Sequence, residues 1–190
     1  MRKLNQKPFE EFPVLKTERL TLREFRIEDA PEILTMRANG RNNEFTFRPN
    51  MENMDQSEEL VKLVQEGYAS KRSIAWAGIL RDGEKMIGSV GLNNIEHGNL
   101  RAEIGGELDI TYWGKKIPLE AVKAVITFAF QTLGLHTIEG KVAPDNRGSV
   151  FIMEYLGFKK EAHYRDRGYY EGKFSDMAVY TLFEEDWKFN

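Results

Sequence analysis

The sequence predicts an α+β fold: a single domain with a mixed, mostly antiparallel sheet of seven strands flanked by about four helices. Two hairpin signals support antiparallel pairing, because Asp82-Gly83 and Glu171-Gly172 each separate two strand-like runs. One amphipathic helix after Pro118 lies between strand-like segments, as a crossover connection does. The length of 190 residues suits one domain.

Each element of the N-terminal half has a local signal. Alternating apolar residues predict strands, and regular apolar spacing after Ser57 predicts a helix. Asp29 followed by Pro31 is typical of a helix start. In chain order we expect an arm at residues 1–15 and a domain at 16–190 that contains a strand at 19–25, a helix from Asp29, a loop at 39–54, a helix from Ser57 to about Lys71, and strands at 73–80, 85–95 and 102–111.

Helices and strands alternate in the C-terminal half. The helix after Pro118 places an apolar stripe on one face, and Gly134 is expected to end it; the stripe is Val122, Val125, Ile126, Ala129 and Leu133. The remaining elements are a strand at 136–143, a short helix capped by Asp145 or Asn146 and stopped by Gly157, and strands at 160–169 and 174–183.

The composition excludes several classes of function. No cysteine is present, which excludes disulfides, thiolate metal sites and a cysteine nucleophile, and fits a cytoplasmic protein. The net charge of −3, with both signs mixed, gives no nucleic-acid footprint. The apolar runs fall short of the ~20 residues of a membrane span. His97, His136 and His163 lack metal-ligand spacing, so we expect no metal site, no membrane and no nucleic-acid partner.

Four stretches of the sequence carry a family resemblance. They are KTERLTLREFRIEDAPEI, AEIGGELDITYWGKKIPLEAVKAVITFAF, APDNRGSVFIMEYLGF and YRDRGYYEGKFSDMAVYTLFEEDW. In this order and spacing the chain resembles the GNAT acetyltransferase superfamily over residues 16–187, and within it the branch of the ribosomal-protein alanine N-acetyltransferases. The resemblance implies a sheet splayed in the middle, acetyl-CoA as cosubstrate, an amine as acceptor, and a homodimer as a common assembly.

The loop after the 102–111 strand matches the family pattern only in part. In the family it usually reads W-G-K-G-Y-A-T-E-A, and its backbone N–H groups hold the CoA pyrophosphate. Here Trp113, Gly114, Lys115, Glu120 and Ala121 match, whereas Lys116, Ile117, Pro118 and Leu119 differ. A lysine at a left-handed position costs about 1 kcal/mol against glycine, and Pro118 removes one donor. A surface loop with solvated lysines is the alternative interpretation.

The predicted cofactor site extends over both halves of this region. Proline is favoured in a first helical turn, and the positive charges of Lys115, Lys116 and Arg147 favour an anion. The resemblance gives Asn146 a contact with the pantetheine arm and places Ser149 near the sulfur; helix capping is the structural alternative. The cofactor-binding residues it implies are Leu108, Ile110, Gly114, Lys115, Lys116, Ile117, Pro118, Leu119, Asn146, Arg147 and Ser149.

Glu103 and Glu107 are the predicted catalytic carboxylates, with Ser149 as the third catalytic candidate. Their spacing on the 102–111 strand puts both glutamates on one face. A carboxylate acting through water can deprotonate an acceptor ammonium, and the resemblance makes Glu107 the nearer candidate. The structural alternative is pairing with Arg101 or Lys141 across the sheet. The tyrosine that many relatives use as general acid is Met153 here, and Tyr155 is expected to pack.

Two hypotheses of function follow from the sequence. The first is an N-acetyltransferase acting on a peptide or protein N-terminus or on a small amine. The second is a protein of the same fold with impaired CoA binding, acting as a sensor or interaction module. An acceptor pocket or, alternatively, the core is predicted to contain Phe45, Phe47, Tyr164, Tyr169 and Tyr170, and a cationic acceptor is weakly favoured by Glu44, Glu52 and Glu171.

Overall fold

One continuous sheet organises the molecule, whose computed structural model describes residues 2–43, 45–170 and 172–188. The strands are β1 (Leu15–Lys16), β2 (Leu20–Arg23), β3 (Ile74–Leu80), β4 (Met86–Glu96), β5 (Arg101–Leu108), β6 (Thr137–Val142), β7 (Lys159–Tyr170) and β8 (Lys173–Phe183). The helices are α1 (Ala30–Arg37), α2 (Gly40–Asn43), α3 (Met54–Ala69), α4 (Ile117–Phe128), which continues into a π-helical turn, and α5 (Arg147–Tyr155).

The strands lie in the order β1-β2-β3-β4-β5-β6-β8-β7. Every neighbouring pair is antiparallel except β5 and β6, which are parallel. That exception follows from α4, because a parallel pair requires a crossover connection and α4 supplies it. The predicted α+β class is therefore confirmed.

Both faces of the sheet are covered in part. Ile74 and Trp76 of β3 lie on the face packed against α4, where the Trp76 and Phe128 rings meet edge to face at 5.2 Å. Ala77 and Ile79 of the same strand lie on the other face, in a smaller cluster with α1 and α3. In the predicted apolar stripe of α4, Val125, Ile126, Ala129 and Leu133 are fully buried, and Val122 is partly buried against the same core.

The central parallel pair separates halfway along its length. Pairing between β5 and β6 runs from Arg101 with Thr137 to Ile104 with Gly140 and stops there. Beyond it, β5 continues to Leu108 paired with β4 alone, and β6 continues to Val142 paired with β8 alone. The expected splay in the sheet is present, and it opens a cleft at the carboxyl ends of both strands.

The N-terminal arm lies against the domain. Leu4 is buried, the Tyr68 hydroxyl donates to the Pro8 carbonyl at 3.0 Å, and the Trp76 indole donates to the Pro13 carbonyl at 2.7 Å. These contacts satisfy two buried ring donors that the sheet itself cannot satisfy. The arm ends in β1, which pairs with β2.

Short elements account for the differences from the predicted counts. The sheet has eight strands rather than seven because the two residues of β1 give no periodic signal. A fifth helix, α2, lies in the predicted 39–54 loop and has only four residues. The predicted 102–111 strand ends at Leu108, after which Ile110–Tyr112 form a 3₁₀ turn. Gly134 and Gly157 have φ of +78° and +90°, as expected at the two helix ends.

Two glycines in β4 and β5 allow these strands to approach closely. A Cβ added at Gly106 would lie 2.5 Å from the Ser89 carbonyl oxygen, and one at Gly88 would collide with the Glu107 carbonyl. A Cβ at Gly105, in contrast, would meet only the Asn93 amide, at 3.8 Å. β5, which forms one wall of the cleft, therefore packs closely on β4 at Gly88 and Gly106, whereas there is room for a side chain at Gly105.

We expect Gly88→Ala and Gly106→Ala each to lower the free energy of unfolding by about 1–3 kcal/mol, the usual range for overpacking. Gly105→Ala is the matched control and should leave it unchanged or raise it by about 0.4–1 kcal/mol. Urea unfolding of the three variants measures the difference. An equal loss in all three would contradict the proposed close approach.

Candidate active site

The cleft between β5 and β6 is bordered by two helix N-termini. Parallel strands reach the same edge of the sheet, so the segments that follow β5 and β6 emerge side by side and enter α4 and α5. Helix N-termini present unpaired N–H groups and a positive dipole end, which favour an anion. The separation of the strands therefore places two anion-favouring helix ends beside one opening.

Side-chain contacts fix the loop that leads into α4. The Asp109 carboxylate accepts hydrogen bonds from the N–H and the hydroxyl of Thr111, at 2.8 and 2.6 Å. The Trp113 indole donates to the Leu108 carbonyl at 2.9 Å. The Lys115 ammonium lies over the Tyr112 ring, 5.0 Å from its centre. This loop has a defined conformation before any ligand binds.

Two residues of the loop have left-handed backbone conformations. Gly114 has φ of +74°, and Lys116 has φ of +58° at the N-cap position of α4. Lysine in this conformation is strained, as the sequence comparison with glycine anticipated. The Lys115 carbonyl accepts a hydrogen bond from Arg19 at 2.8 Å, and Arg19 also pairs with Glu120. Arg19, which directly precedes β2, thus connects the residue before the strained position to α4.

The loop fits a pyrophosphate. Among the hydrogen bonds that join described residues, none uses the N–H of Gly114, Lys115, Lys116 or Ile117. Gly114, Lys115 and Lys116 are exposed residues, and Ile117 is buried. Pro118 is the second residue of α4, where its missing N–H removes one of the four donors that a helix start leaves unpaired. The loop therefore has the unpaired N–H groups that the predicted cradle requires, with proline in place of one donor.

The N-terminus of α5 is capped as the sequence predicts. Asn146 rather than Asp145 is the N-cap, and its side-chain oxygen accepts from the Ser149 N–H at 3.0 Å. Among the described residues no hydrogen bond uses the Asn146 side-chain NH₂, so it remains able to donate. Arg147 is exposed beside it. Capping and a ligand contact are compatible at Asn146.

Met153 and Tyr155 have different surroundings on α5. Met153 is buried, and its sulfur would lie 2.7 Å from a Cβ at Gly140, so the helix packs directly on β6 at a glycine. Tyr155 is 52% exposed and stacks on Phe151 at 5.7 Å. It contacts another surface ring rather than the core, contrary to the expected packing.

Glu107 is bound by two arginines. Its carboxylate accepts from Arg37 Nε at 2.9 Å and from Arg37 Nη2 at 2.7 Å, and it also forms an ion pair with Arg48. Both carboxylate oxygens of Glu107 therefore accept from a guanidinium group. The sequence identified Glu107 but not these partners, which come from α1 and from the loop after α2.

A buried asparagine holds the two arginines in place. Asn43 is 1% exposed; its amide nitrogen donates to the Arg37 carbonyl at 2.6 Å, and its oxygen accepts from Arg48 Nε at 3.0 Å. Asn43 therefore connects the charged cluster to the backbone of α1 by a hydrogen bond. The sequence signal of the cluster, an arginine, an asparagine and a second arginine at positions 37, 43 and 48, does not differ from ordinary loop polarity.

Glu103 has the partner that the structural alternative predicted. It accepts from the Lys141 ammonium of β6 at 2.6 Å, whereas Arg101 pairs with Glu96 and Glu139. Its side chain is 27% exposed and that of Lys141 41%, which makes this a surface ion pair of about 0–1 kcal/mol. Glu103 is consequently much less constrained than Glu107.

The final hairpin approaches the same opening. A Cβ added at Gly168 would lie 2.9 Å from the Phe47 ring, so the loop after α2 rests directly on β7. Phe47 itself has φ of +49°. Tyr164, Tyr169 and Phe174 are exposed, and the latter two rings are 4.8 Å apart. Phe47 is thus the predicted aromatic that links the two segments; Glu44 and Glu171 lie outside the described residues.

A bulge in β7 shapes this side of the opening. Tyr164 pairs with Met177 and Gly168 with Ser175, so residues 165–167 face Asp176 alone. Two hydrogen bonds hold the pKa of Asp176 below its ordinary value: the larger effect comes from the Asp166 N–H and the smaller from the His163 side chain. Arg167 lies over the Tyr164 ring at 5.6 Å. His163 therefore has a structural role, and so does His97, which contacts Gln6 and Lys71.

Two further findings bear on the expected absences. Among the described residues, no group of three or more metal-ligating side chains could hold an ion. No described helix is both long and apolar enough to cross a membrane.

Comparisons with known proteins agree with this geometry. The chain matches the model of the acetyltransferase (GNAT) domain over residues 19–159. It is 32% identical to an uncharacterized N-acetyltransferase, p20, of Bacillus licheniformis. The aligned region of 177 residues covers 91% of this chain and 97% of the relative. A solved structure of a probable acetyltransferase superposes with a TM-score of 0.83 at 28% identity, covering 92% of this chain and 99% of the other.

A relative whose name specifies its acceptor matches over a shorter span. The [ribosomal protein uS5]-alanine N-acetyltransferase of Escherichia coli K12 is 28% identical over 107 residues, which is 56% of this chain and 55% of that protein. The predicted family and the similarity to its ribosomal-protein branch are both confirmed.

The strained Lys116 provides a test of the cradle. Lys116→Gly should raise the free energy of unfolding by about 1 kcal/mol, because glycine adopts φ of +58° without strain. It should also weaken acetyl-CoA binding about tenfold and make the remaining affinity less sensitive to salt, because a charge near the phosphates is lost. Urea unfolding and calorimetric titration measure the two effects separately.

Lys71→Gly is the matched control for this experiment. Lys71 also has φ of +58°, but it follows α3, away from the cleft. The substitution should produce the same gain in stability with no change in acetyl-CoA affinity. Tighter binding by Lys116→Gly would show that the lysine hinders the cofactor, and no heat at millimolar acetyl-CoA in the parent would contradict the cradle itself.

Proposed function

The chain belongs to the acetyltransferase (GNAT) family, and we propose that it acetylates the α-amine of a peptide or protein N-terminus. It is an acetyl-CoA-dependent N-acetyltransferase, and the alternative of a sensor with impaired CoA binding is not favoured. The choice of acceptor rests on the state of the two carboxylates of β5. Both are paired, Glu107 with two arginines and Glu103 with Lys141.

The pairing matters because an acceptor ammonium must lose a proton before it can react. An α-amine has an ordinary pKa of about 7.7–8.0, so roughly a third of it is neutral at pH 7.5. A lysine-type amine has a pKa of about 10.4 and is neutral at that pH to only about one part in a thousand. A site whose two carboxylates are both held in ion pairs suits the first acceptor far better than the second.

The chemistry that acetyl-CoA supplies is an activated acetyl group. The neutral acceptor nitrogen forms an amide bond to the acetyl carbonyl carbon as the carbon–sulfur bond breaks. The nitrogen releases one proton, and CoA leaves as a thiolate that takes up one proton. We assign phosphate binding to the N–H groups of Gly114 to Ile117 together with Lys115 and Lys116. Arg147 adds charge there, Leu119 and Pro118 shape the helix start, and Leu108 and Ile110 line the strand end.

On the α5 side we assign the pantetheine contact to the free NH₂ of Asn146. Ser149 follows it by one turn and is partly buried, which suits a position near the sulfur. The donor side of the cleft thus uses backbone N–H groups, lysines and one amide. None of these groups needs to change its protonation state during the reaction.

The two glutamates receive different roles. Glu103, in a weak surface pair, can accept a proton through water, whereas Glu107 positions Arg37 and Arg48 at the opening. The cytoplasmic location and the homodimer that were expected at the outset remain proposals, as does the lack of a nucleic-acid partner.

Acceptor choice is tested with one lysine-containing peptide in two forms, with a free and with a blocked N-terminus. We expect the free form to be acetylated at its α-amine, with kcat/KM at pH 7.5 about two hundredfold above that for the lysine of the blocked form. Its kcat/KM should reach about half of its maximum near pH 8 and level off above about pH 9. Mass spectrometry locates the acetyl group, and equal rates for the two forms, or for spermidine, would contradict the proposal.

The roles of the glutamates are separated by pH. Glu103→Gln should lower kcat, and the loss should shrink above pH 8, where more acceptor is already neutral. Glu107→Gln should lower kcat/KM at least about tenfold at every pH, because Arg37 and Arg48 lose their common partner. If the loss in Glu107→Gln shrinks with rising pH instead, Glu107 is the base.

A further inference from the structure

The cluster of Arg37, Arg48 and Glu107 has an excess of positive charge. Two guanidinium groups face one carboxylate, which leaves a formal charge of +1. The side chains are 20%, 25% and 11% exposed, in that order. Charges at this depth are screened less than surface charges, so the excess acts on anything that enters the opening.

Each arginine also retains an unused donor. Arg37 binds Glu107 through Nε and Nη2, and Arg48 binds Asn43 through Nε and Glu107 through Nη2. Among the described residues, neither Nη1 has an acceptor. The Glu107 carboxylate orients both guanidinium groups, and the buried Asn43 holds that of Arg48 a second time, so little conformational entropy remains to be lost on binding.

Among the residues that the structure describes, the neighbouring carboxylate of β5 does not cancel this charge. Glu103, four residues earlier on the same face of β5, is neutralised by Lys141. Across the β4–β5 ladder, Glu107 is paired with Ser89 and Glu103 with Asn93, both uncharged. Glu52, which the sequence suggested as a contact for a cationic acceptor, is exposed, and its backbone N–H is bound by Gln56.

We infer that Arg37 and Arg48 select an acceptor that carries a carboxylate close to its reacting α-amine. The inference rests on the proposed function and narrows it. The carboxylate belongs either to an Asp or Glu at the first or second position of a peptide or to a free amino acid. Guanidinium groups bind carboxylates through charge-assisted, geometrically defined hydrogen bonds. Spermidine, which has no anionic group, is a poor acceptor under this inference.

Matched peptides test the preference. Ser-Asp and Ser-Asn peptides, and Asp-Ser and Asn-Ser peptides, differ only in one charge and share the same backbone. For the better of the two positions, we expect kcat/KM to be about tenfold or more higher for the acidic peptide, the usual effect of a hydrogen bond to a charged group. Glutamate and glutamine as free amino acids, compared with glutamic acid α-amide, reveal whether the α-carboxylate serves instead.

Variants assign the preference to the arginines. Arg48→Gln should reduce the acidic-to-amide ratio to near one, and Arg48→Lys should keep part of it. Arg101→Gln is the matched control, because Arg101 lies on β5, on the same face, and also pairs with two carboxylates. Its ratio should equal that of the parent. Calorimetric titration of the peptides in the presence of CoA, which cannot donate acetyl, should reproduce the same ratios without turnover.

The outcomes separate this inference from the proposed function. Equal acetylation of acidic and amide peptides, or a ratio that survives in Arg48→Gln, overturns the inference and leaves peptide acetylation standing. A preference for free amino acids over all peptides keeps the carboxylate requirement and overturns the peptide acceptor. Acetylation of spermidine, with no peptide or amino acid accepted, overturns both.

Discussion

The loss of pairing between β5 and β6 after Ile104 and Gly140 is the constraint on which the rest of the site depends. A parallel pair that continued would satisfy its own backbone groups and leave no opening. Because it stops, the segment from Gly105 to Leu108 keeps only β4 as a partner. The segments into α4 and α5 then emerge on either side of the gap. The cleft is thus made by backbone geometry, and side chains only refine it.

Close packing on the outer side of each strand holds β5 and β6 in their separated positions. Met153 of α5 lies on Gly140 and draws the helix close to β6, while Gly88 and Gly106 draw β5 close to β4. On the loop side, Arg19 holds the Lys115 carbonyl and Glu120. A non-glycine residue keeps a strained φ such as +58° only where the surrounding contacts fix its backbone conformation. The strained conformation of Lys116 is therefore maintained by the contacts of Arg19 with the loop and with α4.

Local chemistry is what the sequence predicts well. The Asn146 cap, the Gly134 and Gly157 helix ends, the stripe of α4 and the left-handed position at 116 each depend on a few neighbouring residues, and all are present. The two-residue β1 and the four-residue α2 are too short for periodicity to reveal. The pairing of Glu107 with Arg37 and Arg48 joins residues 70 and 59 positions apart, and no local pattern specifies it. The sequence therefore located Glu107 but not its partners, which decide whether a carboxylate acts as a base or as an anchor.

The charge distribution connects the two halves of the cleft. The whole chain has a net charge of −3, which repels anions at long range. Within the cleft, however, the lysines and helix N-terminus of the cofactor loop are positive, and so is the cluster of two arginines with one glutamate on the other side. A local positive surface in a partly buried cleft focuses the field on the opening. An anionic cosubstrate and an anionic acceptor would both be drawn to the one region of an acidic protein that favours them. With acetyl-CoA in the proposed position, its phosphates would reduce the positive field, and the acceptor would then have to be held by short-range hydrogen bonds. The fixed guanidinium groups of Arg37 and Arg48, each with an unused donor, are suited to that second task.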